Sequence, residues 1–378
     1  MPLGDGPGRV LADDLVAREP LPPFDHSAMD GYAIATADLG EQGPWTLRVA
    51  GESRAGREAP PLGAATACRI FTGAPIPPRA DCVIMQEHVT RVGDDLSFAT
   101  RPAARQHVRR AGEDLERGAI AIRAGTRLTP GAIALAAMLD RAELVVARRP
   151  RVTILCTGDE LRAPGVERFA ASIPESNSAA LAAFARQAGA SVRIAPIVGD
   201  EPSATQQAIE RALDGTDVLL TVGGVSVGDH DVVRAALERA GVTLDFWRVA
   251  IKPGKPLAVG RGATAHVLGL PGNPASALVT FVMFGMPLLR SMQGDARPFA
   301  VPLVVRLDAA RKRSPDRLEL VRATLRVDAG ALVADAHDNQ ASGSSTSLAH
   351  SDGVALVSPA EGPLEAGAHV PFVRWSDA

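Results

Sequence analysis

The sequence predicts a multidomain α/β plus β protein, with a central doubly wound α/β domain flanked by β-rich segments. Three observations carry that reading. From Pro150 to about Gln293, strand-like and helix-like runs alternate: "RVTILCTGD" then "NSAALAAFARQAGA", "SVRIAPIVGD" then "PSATQQAIERALDG", "DVLLTVGG" then "DVVRAALERAG". Such alternation makes a parallel sheet with helices on both faces and ligands at the carboxyl ends of its strands. Before it, turn signals separate the short β-like runs "WTLRVAG", "ACRIFTG", "DCVIMQEHV" and "LSFAT". After it come "VPLVVRL", "LELVRATLRV", "GALVADA", "GVALVSP" and "HVPFVRW", which read as a small β-barrel or sandwich.

The helices carry their own start signals. Thr129 caps "TPGAIALAAMLD", with Pro130 at the first helical position. Asn177 or Ser178 begins the next helix, and Pro202 with Ser203 the one after. The most apolar stretch, "ASALVTFVMFGMPLL" (275–289), reads as a buried helix, too short to span a bilayer and interrupted by Pro287.

Composition narrows the function. A length of 378 residues fits several domains, and 46% apolar residues with interspersed charge read as globular. A net charge of −3 and 4% aromatic residues argue against a nucleic-acid partner, whether duplex or stacked single strand. Three cysteines, Cys68, Cys82 and Cys156, lack zinc or redox spacing and read as buried thiols in a reducing compartment. With no signal-peptide layout at "MPLGDGPGRV", the expected location is cytoplasmic, away from any membrane.

Chemistry-bearing residues gather where the α/β strands should end. "TGDEL" supplies Asp159 and Glu160, "VGDEP" supplies Asp200 and Glu201, and "TVGGVSVGDHD" supplies Gly223, Gly224, Ser226, Asp229 and Asp231. A glycine turn between strand and helix cradles phosphate, yet acids beside it repel one. Taken singly, each acid reads more readily as a helix cap than as a site residue. Their convergence at three successive strand ends points to a hard divalent cation such as Mg²⁺ bridging carboxylates and substrate phosphates. "AIKPGKPLAVG" holds Lys252 and Lys255 on a stiff turn, and "GLPGNPASALVTF" sets Pro271, Gly272, Asn273 and Ser276 at a helix start where amides and a hydroxyl suit an oxyanion. "FDHSAMDGYA" contains Asp30-Gly31, which in isolation is a turn; "FTGAPIPPRAD" places Thr72 before a stiff loop; "HVRRAGEDL" sets Arg109 and Arg110 beside Glu113 and Asp114.

Taken in order, "FDHSAMDGYA", "RIFTGAPIP", "MQEH", "RRAGEDL", "CTGDEL", "GGVSVGDHD", "KPGKP" and "GLPGNPASA" closely resemble the MoeA family of molybdopterin molybdenumtransferases, also present as the gephyrin E domain. The resemblance runs through nearly the whole chain. It implies an elongated, discontinuous linker domain (1–20 and 118–149), a β-rich domain (21–117), a MogA-like α/β catalytic domain (150–296) and a C-terminal β domain (297–378). It also implies the reaction: adenylylated molybdopterin and molybdate are the substrates, molybdenum is inserted, AMP is released, and Mg²⁺ assists. A homodimer with shared sites is implied, with transient contacts to a MogA-type adenylyltransferase and to molybdoenzymes.

By the same resemblance, Asp30, Thr72 and Asp114 reach the partner subunit's site, while Glu160, Asp200 and Asp231 line the nucleotide and metal side. Lys252, Lys255 and Ser276 gather anionic oxygens, and Arg322 and Ser342 belong to the molybdate pocket. Ser176, Asn177, Ser226, Gly223, Gly224, Pro271, Gly272 and Asn273 contact substrate. Three departures stand out: the chain begins late, at "GRVLADDL"; His26 replaces a usual Asn; and Pro174-Glu175 replaces a usual Tyr-Asp. Tungstate, close to molybdate in size and charge, fits the same donors.

Overall fold

The structure is a computed structural model describing residues 1–224 and 232–377, with the side chains of Phe246 and Trp247 left aside. The chain divides into two compact units, Met1–Pro7, Asp13–Ala124 and Leu128–Val145 forming the first and Gly8–Ala12, Gly125–Arg127 and Val146–Ala378 the second.

The first unit is built on a six-stranded sheet in the order Cys82–Met85, Gly31–Ile34, Thr66–Ile70, Trp45–Ser53, Asp95–Phe98, Thr90–Val92. Alternation along the central strands fills both faces: Tyr32, Ile34, Ile84, Leu96 and Phe98 pack on one, Ala33, Cys68, Ile70 and Val83 on the other. Gly31 permits the tightest strand contact, since a Cβ there would lie 1.9 Å from the Ile84 carbonyl oxygen. The same unit holds a short ribbon, Leu15–Val16 antiparallel to Ile120–Ile122, and the helix Pro130–Met138. Thr129 caps that helix as the sequence predicts, its Oγ1 accepting from the Ala132 amide at 3.2 Å.

The second unit contains a six-stranded sheet in the order Ser191–Ile194, Arg151–Cys156, Val218–Val222, His266–Leu270, Pro256–Arg261, Thr243–Arg248. Its first four strands form the parallel core the alternation predicts; the fifth runs antiparallel to the fourth and the sixth antiparallel to the fifth, an addition the alternation did not predict. The reason is connection length. Between Arg261 and His266 the chain turns on the Gly262-to-Ala265 hydrogen bond, and such a hairpin can only join antiparallel strands. Strand residues alternate between two cores. Ile154 and Leu220 meet Leu181, Ala185 and Phe281, whereas Leu155 and Leu219 meet Ile209, Val233 and Leu237.

The predicted buried helix is longer than the sequence suggests and is not uniform. It runs as α-helix over Pro274–Thr280, widens to a π turn over Phe281–Gly285 and resumes over Met286–Ser291. The wide turn precedes Pro287, whose missing amide hydrogen breaks the α ladder there. At 18 residues it is long and apolar enough to cross a membrane, but it is 67% buried and serves as a core helix.

The C-terminal strands close into a barrel. Leu318–Asp328 pairs with both Ala331–Ala336 and Gly353–Val357, and Leu303–Leu307 and His369–Arg374 complete the circuit. Val305, Val321, Ala334, Ala355 and Phe372 fill the interior. Ile251–Lys252 adds in parallel to Leu318–Glu319 and splices the barrel onto the α/β sheet's connection.

A buried carboxylate with exposed guanidinium partners anchors the start of the α/β sheet. Asp217 accepts from the Arg148 guanidinium at 2.6 and 3.0 Å and from the Arg151 amide at 2.7 Å. These donors, Arg148 first, hold its carboxyl far below the usual range despite burial. Asp217→Asn is expected to cost about 2 kcal/mol of stability at neutral pH, the loss of a charge-assisted bond whose guanidinium is exposed and screened. Because the folded pKa is depressed, the contribution is present above about pH 4 and fades as pH falls below it. Urea unfolding of both proteins across that range checks this: the gap closes in acid. Thr129→Ala should cost about 1 kcal/mol by the same measurement.

Candidate active site

Two adjoining cavities open at the carboxyl ends of the parallel strands, both within the second unit. The larger, about 600 Å³, is lined by Thr157, Gly158, Glu160, Asp200, Gly223, Gly224, Val232, Pro256, Pro271, Gly272 and Asn273. The smaller, about 320 Å³, shares Thr157, Glu160, Gly223, Gly272 and Asn273 and adds Cys156, Glu175, Ser176 and Asn177. Glu160, Asp200, Ser176, Asn177, Gly223, Gly224, Pro271, Gly272 and Asn273, all named from sequence, are therefore brought together in one crevice.

The glycines are required here. Gly223 and Gly224 have φ of +92° and +62°, and a Cβ on Gly223 would stand 2.5 Å from the Thr157 carbonyl oxygen. On Gly224 it would stand 2.3 Å from Val233 Cγ2. The turn after the Val218–Val222 strand thus closes onto Thr157 only without side chains. Gly223→Ala is expected to perturb this crevice by strain and overlap together, read as a lowered Tm and weakened ligand binding in one variant.

The acids separate into roles. Glu201 is a helix cap, accepting from the Ser203 and Ala204 amides at 3.0 and 2.6 Å, and those amides hold its carboxyl below the usual range. Asp159 Oδ1 accepts from the Asp200 amide at 3.0 Å and so fixes the loop that presents Asp200. That leaves Glu160 and Asp200 as carboxylates facing the larger cavity. They are oxygen donors of the type a hard divalent cation takes. Among the described residues no cluster of three His, Cys, Asp or Glu forms a metal site. Ser226, Asp229 and Asp231 lie outside the described residues.

Around the crevice, Asn273 ends the turn before the buried helix, and the Ala275 amide donates to the Ser342 carbonyl at 3.0 Å. That contact brings the Gln340–Ser344 loop of the barrel to the helix start. Ser276 is buried within the helix's first turn. Beneath the loop lies Arg322, 0% exposed. Its Nε donates to Ser347 Oγ at 2.8 Å and one Nη to the Ala341 carbonyl at 3.0 Å, while the other Nη is buried without a partner. Burial lowers its pKa, and no described carboxylate pairs with it.

Lys252, expected to gather anionic oxygens, already has a carboxylate partner while its side chain stays exposed. Its Nζ donates to Glu319 Oε1 at 2.9 Å, an 8%-exposed carboxylate that sequence reasoning missed. The cause is tertiary: strand pairing sets Lys252 opposite Glu319 from a segment 67 residues away. Lys255 keeps an attractive interaction with Asp316.

In the first unit, Asp30 and Thr72 are brought into contact. Asp30 Oδ1 accepts from the Thr72 amide at 2.7 Å and its hydroxyl at 2.9 Å. Those bonds, the amide's first and aided by Arg69, hold the Asp30 carboxyl below the usual range. Asp114 accepts from Arg109 at 2.7 Å, and Glu113 stands 3.7 Å from the same guanidinium, which balances the charge of both acids. Burial pushes the Cys68 and Cys82 thiols up to about 11 and about 12, and that of Cys156 higher still, so all three are protonated at neutral pH.

Sequence profiles of known families match the chain in order. The MoeA N-terminal region (domain I and II) matches residues 1–139, a probable molybdopterin binding domain residues 153–291, and the MoeA C-terminal region (domain IV) residues 304–375. The molybdopterin molybdenumtransferase of Haemophilus influenzae is 40% identical over 297 residues, covering 78% of this chain and 72% of its own. That of Bacillus subtilis is 32% identical over 363 residues, covering 94% and 84%. The crystal structure of the molybdopterin biosynthesis MoeA protein of Pyrococcus horikoshii superposes with a TM-score of 0.83 at 29% identity, covering 99% of this chain and 93% of that one. Matched along its length by profiles, curated relatives and a solved structure, the chain is a transferase and belongs to the MoeA family, the molybdopterin molybdenumtransferases.

Proposed function

We propose that this chain acts in molybdenum cofactor biosynthesis, inserting molybdenum from molybdate into adenylylated molybdopterin with release of AMP. The observation that carries the reading is Arg322: a fully buried guanidinium with an unpartnered Nη and no described carboxylate. Burying an unpaired cation is costly unless an anion arrives to meet it. A tetrahedral dianion such as molybdate satisfies that donor and suits the nearby helix start.

The other residues support the same chemistry. The glycine turn admits the backbone close to a phosphate. Glu160 and Asp200 would hold Mg²⁺, the role the resemblance also gives Asp231, which lies outside the described residues. When bound, that ion supplies charge neutralisation at the phosphate link between pterin and nucleotide. This chain's own groups bind and orient: the barrel loop and Lys255 collect the oxyanion, while Glu319 fixes Lys252. With all cysteines buried and protonated, positioning and electrostatics support turnover, and no protein nucleophile is invoked. We further assign Asp30, Thr72 and Asp114 to the crevice of a partner subunit in a homodimer.

Turnover of defined adenylylated molybdopterin, with and without molybdate and Mg²⁺, tests the reading: AMP appears only with molybdate present. ATP-dependent adenylylation of plain molybdopterin, with no molybdate-dependent AMP, would overturn it in favour of an adenylyltransferase. Arg322→Met is expected to raise the KM for molybdate by ~10-fold or more while leaving the KM for the adenylylated pterin within about twofold. Asp30→Ala and Glu160→Ala should each lose at least ~100-fold in kcat. Mixed one to one and re-associated at random, they should recover about a quarter of wild-type activity if two-fold-related sites are shared; no recovery despite demonstrated heterodimers removes the shared-site assignment.

A further inference from the structure

In the first unit a third residue stands beside Asp30 and Thr72. Arg69 lies half-buried on the Thr66–Ile70 strand, directly opposite Tyr32. Its Nη1 donates to the Gly31 carbonyl at 2.9 Å and its Nη2 to Gln86 Oε1 at 2.7 Å. The Gln86 amide in turn donates to the Asp30 carbonyl at 3.2 Å. Arg69 and Gln86 therefore close a ring of hydrogen bonds around the backbone of Asp30 and Gly31. That ring spans the ends of three adjacent strands, Cys82–Met85, Gly31–Ile34 and Thr66–Ile70.

The same guanidinium packs against two aromatic rings. Its central carbon lies 5.1 Å from the middle of the Tyr32 ring and 4.7 Å from that of Phe71. Tyr32 comes two residues after Asp30, and Phe71 immediately precedes Thr72. One side chain thus meets both the segment that carries Asp30 and the segment that carries Thr72. Both of its hydrogen bonds go to neutral acceptors. Asp30 feels the guanidinium as a nearby charge while taking its own hydrogen bonds from Thr72.

The residue type matters for this arrangement. A planar fork can lie against rings and donate in two fixed directions at once, which an ammonium group cannot copy. We propose that Arg69 is the positioning residue for Asp30 and Thr72, clasping their two segments so that carboxylate and hydroxyl are presented as one unit. The proposal rests on the assignment of that pair to a partner subunit's crevice and adds to it the residue that sets the pair's geometry.

The test begins with Arg69→Met, which keeps an unbranched side chain against the rings and removes the fork. In the full-length protein kcat is expected to fall about tenfold, with KM for molybdate and for adenylylated molybdopterin within about twofold. Arg69→Lys, which keeps the charge, should recover no more than about twofold of that loss; full recovery would show that charge alone suffices and overturns the clasp. Added to Asp30→Ala, Arg69→Met should cost no more than about twofold further, because the group it positions is already gone. A further loss of about tenfold would place its effect on the fold at large and overturns the assignment. Hydrogen exchange reads the geometry without turnover. The Thr72 amide, which donates to Asp30, should exchange about tenfold faster in Arg69→Met than in the wild type at the same pH; unchanged exchange overturns the clasp. Faster exchange in the variant of a protein whose wild type releases no AMP with molybdate overturns the reaction and leaves the clasp standing.

Discussion

Much of the site depends on one close approach, that of Gly223 to the Thr157 carbonyl. Any Cβ at Gly223 would fall 2.5 Å from that oxygen, so the turn exists only as glycine in a left-handed conformation. The approach draws the ends of two adjacent parallel strands together. Both cavities share Thr157 and Gly223 as wall, so this contact defines the boundary of each. The acids become intelligible from the same constraint. Asp159 and Glu201 hold loop and helix in place, which leaves Glu160 and Asp200 facing the cavity.

The barrel makes a second contribution, chemical more than mechanical. Its long strand supplies Glu319 to Lys252 and carries Arg322 beneath the loop that meets the buried helix. Within a few residues of one strand, a carboxylate is neutralised by a lysine while a guanidinium has no described carboxylate partner. The pairing with Glu319 keeps Lys252 in a fixed position. The closed pairing of the barrel, with its long strand bonded on both sides, gives that placement rigidity.

Much of the architecture was legible in the residues. The strand–helix alternation, the Thr129 cap, the β-rich flanks and most crevice residues follow from periodicity, capping chemistry and glycine placement. The antiparallel end of the sheet did not, because apolar runs without an intervening helix look alike whichever way they run. The length of the buried helix and its π turn were also hidden, since a uniformly apolar run carries no phase. Glu319 and Asp217 gave no sequence signal: each matters through a partner distant in the chain, at 67 and 69 residues respectively.

The sequence by itself determined the family, the order of the segments and the residue types available for anion and cation chemistry, because motifs in fixed order and local turn rules are properties of the chain. Only the tertiary structure decided which of those groups remain available. Lys252 is engaged by a strand partner, Asp159 and Glu201 are engaged by backbone amides, and Thr157, Asn177 and Arg322 are buried with polar atoms unmet. Availability is a matter of long-range pairing and desolvation, and neither is written in local spacing.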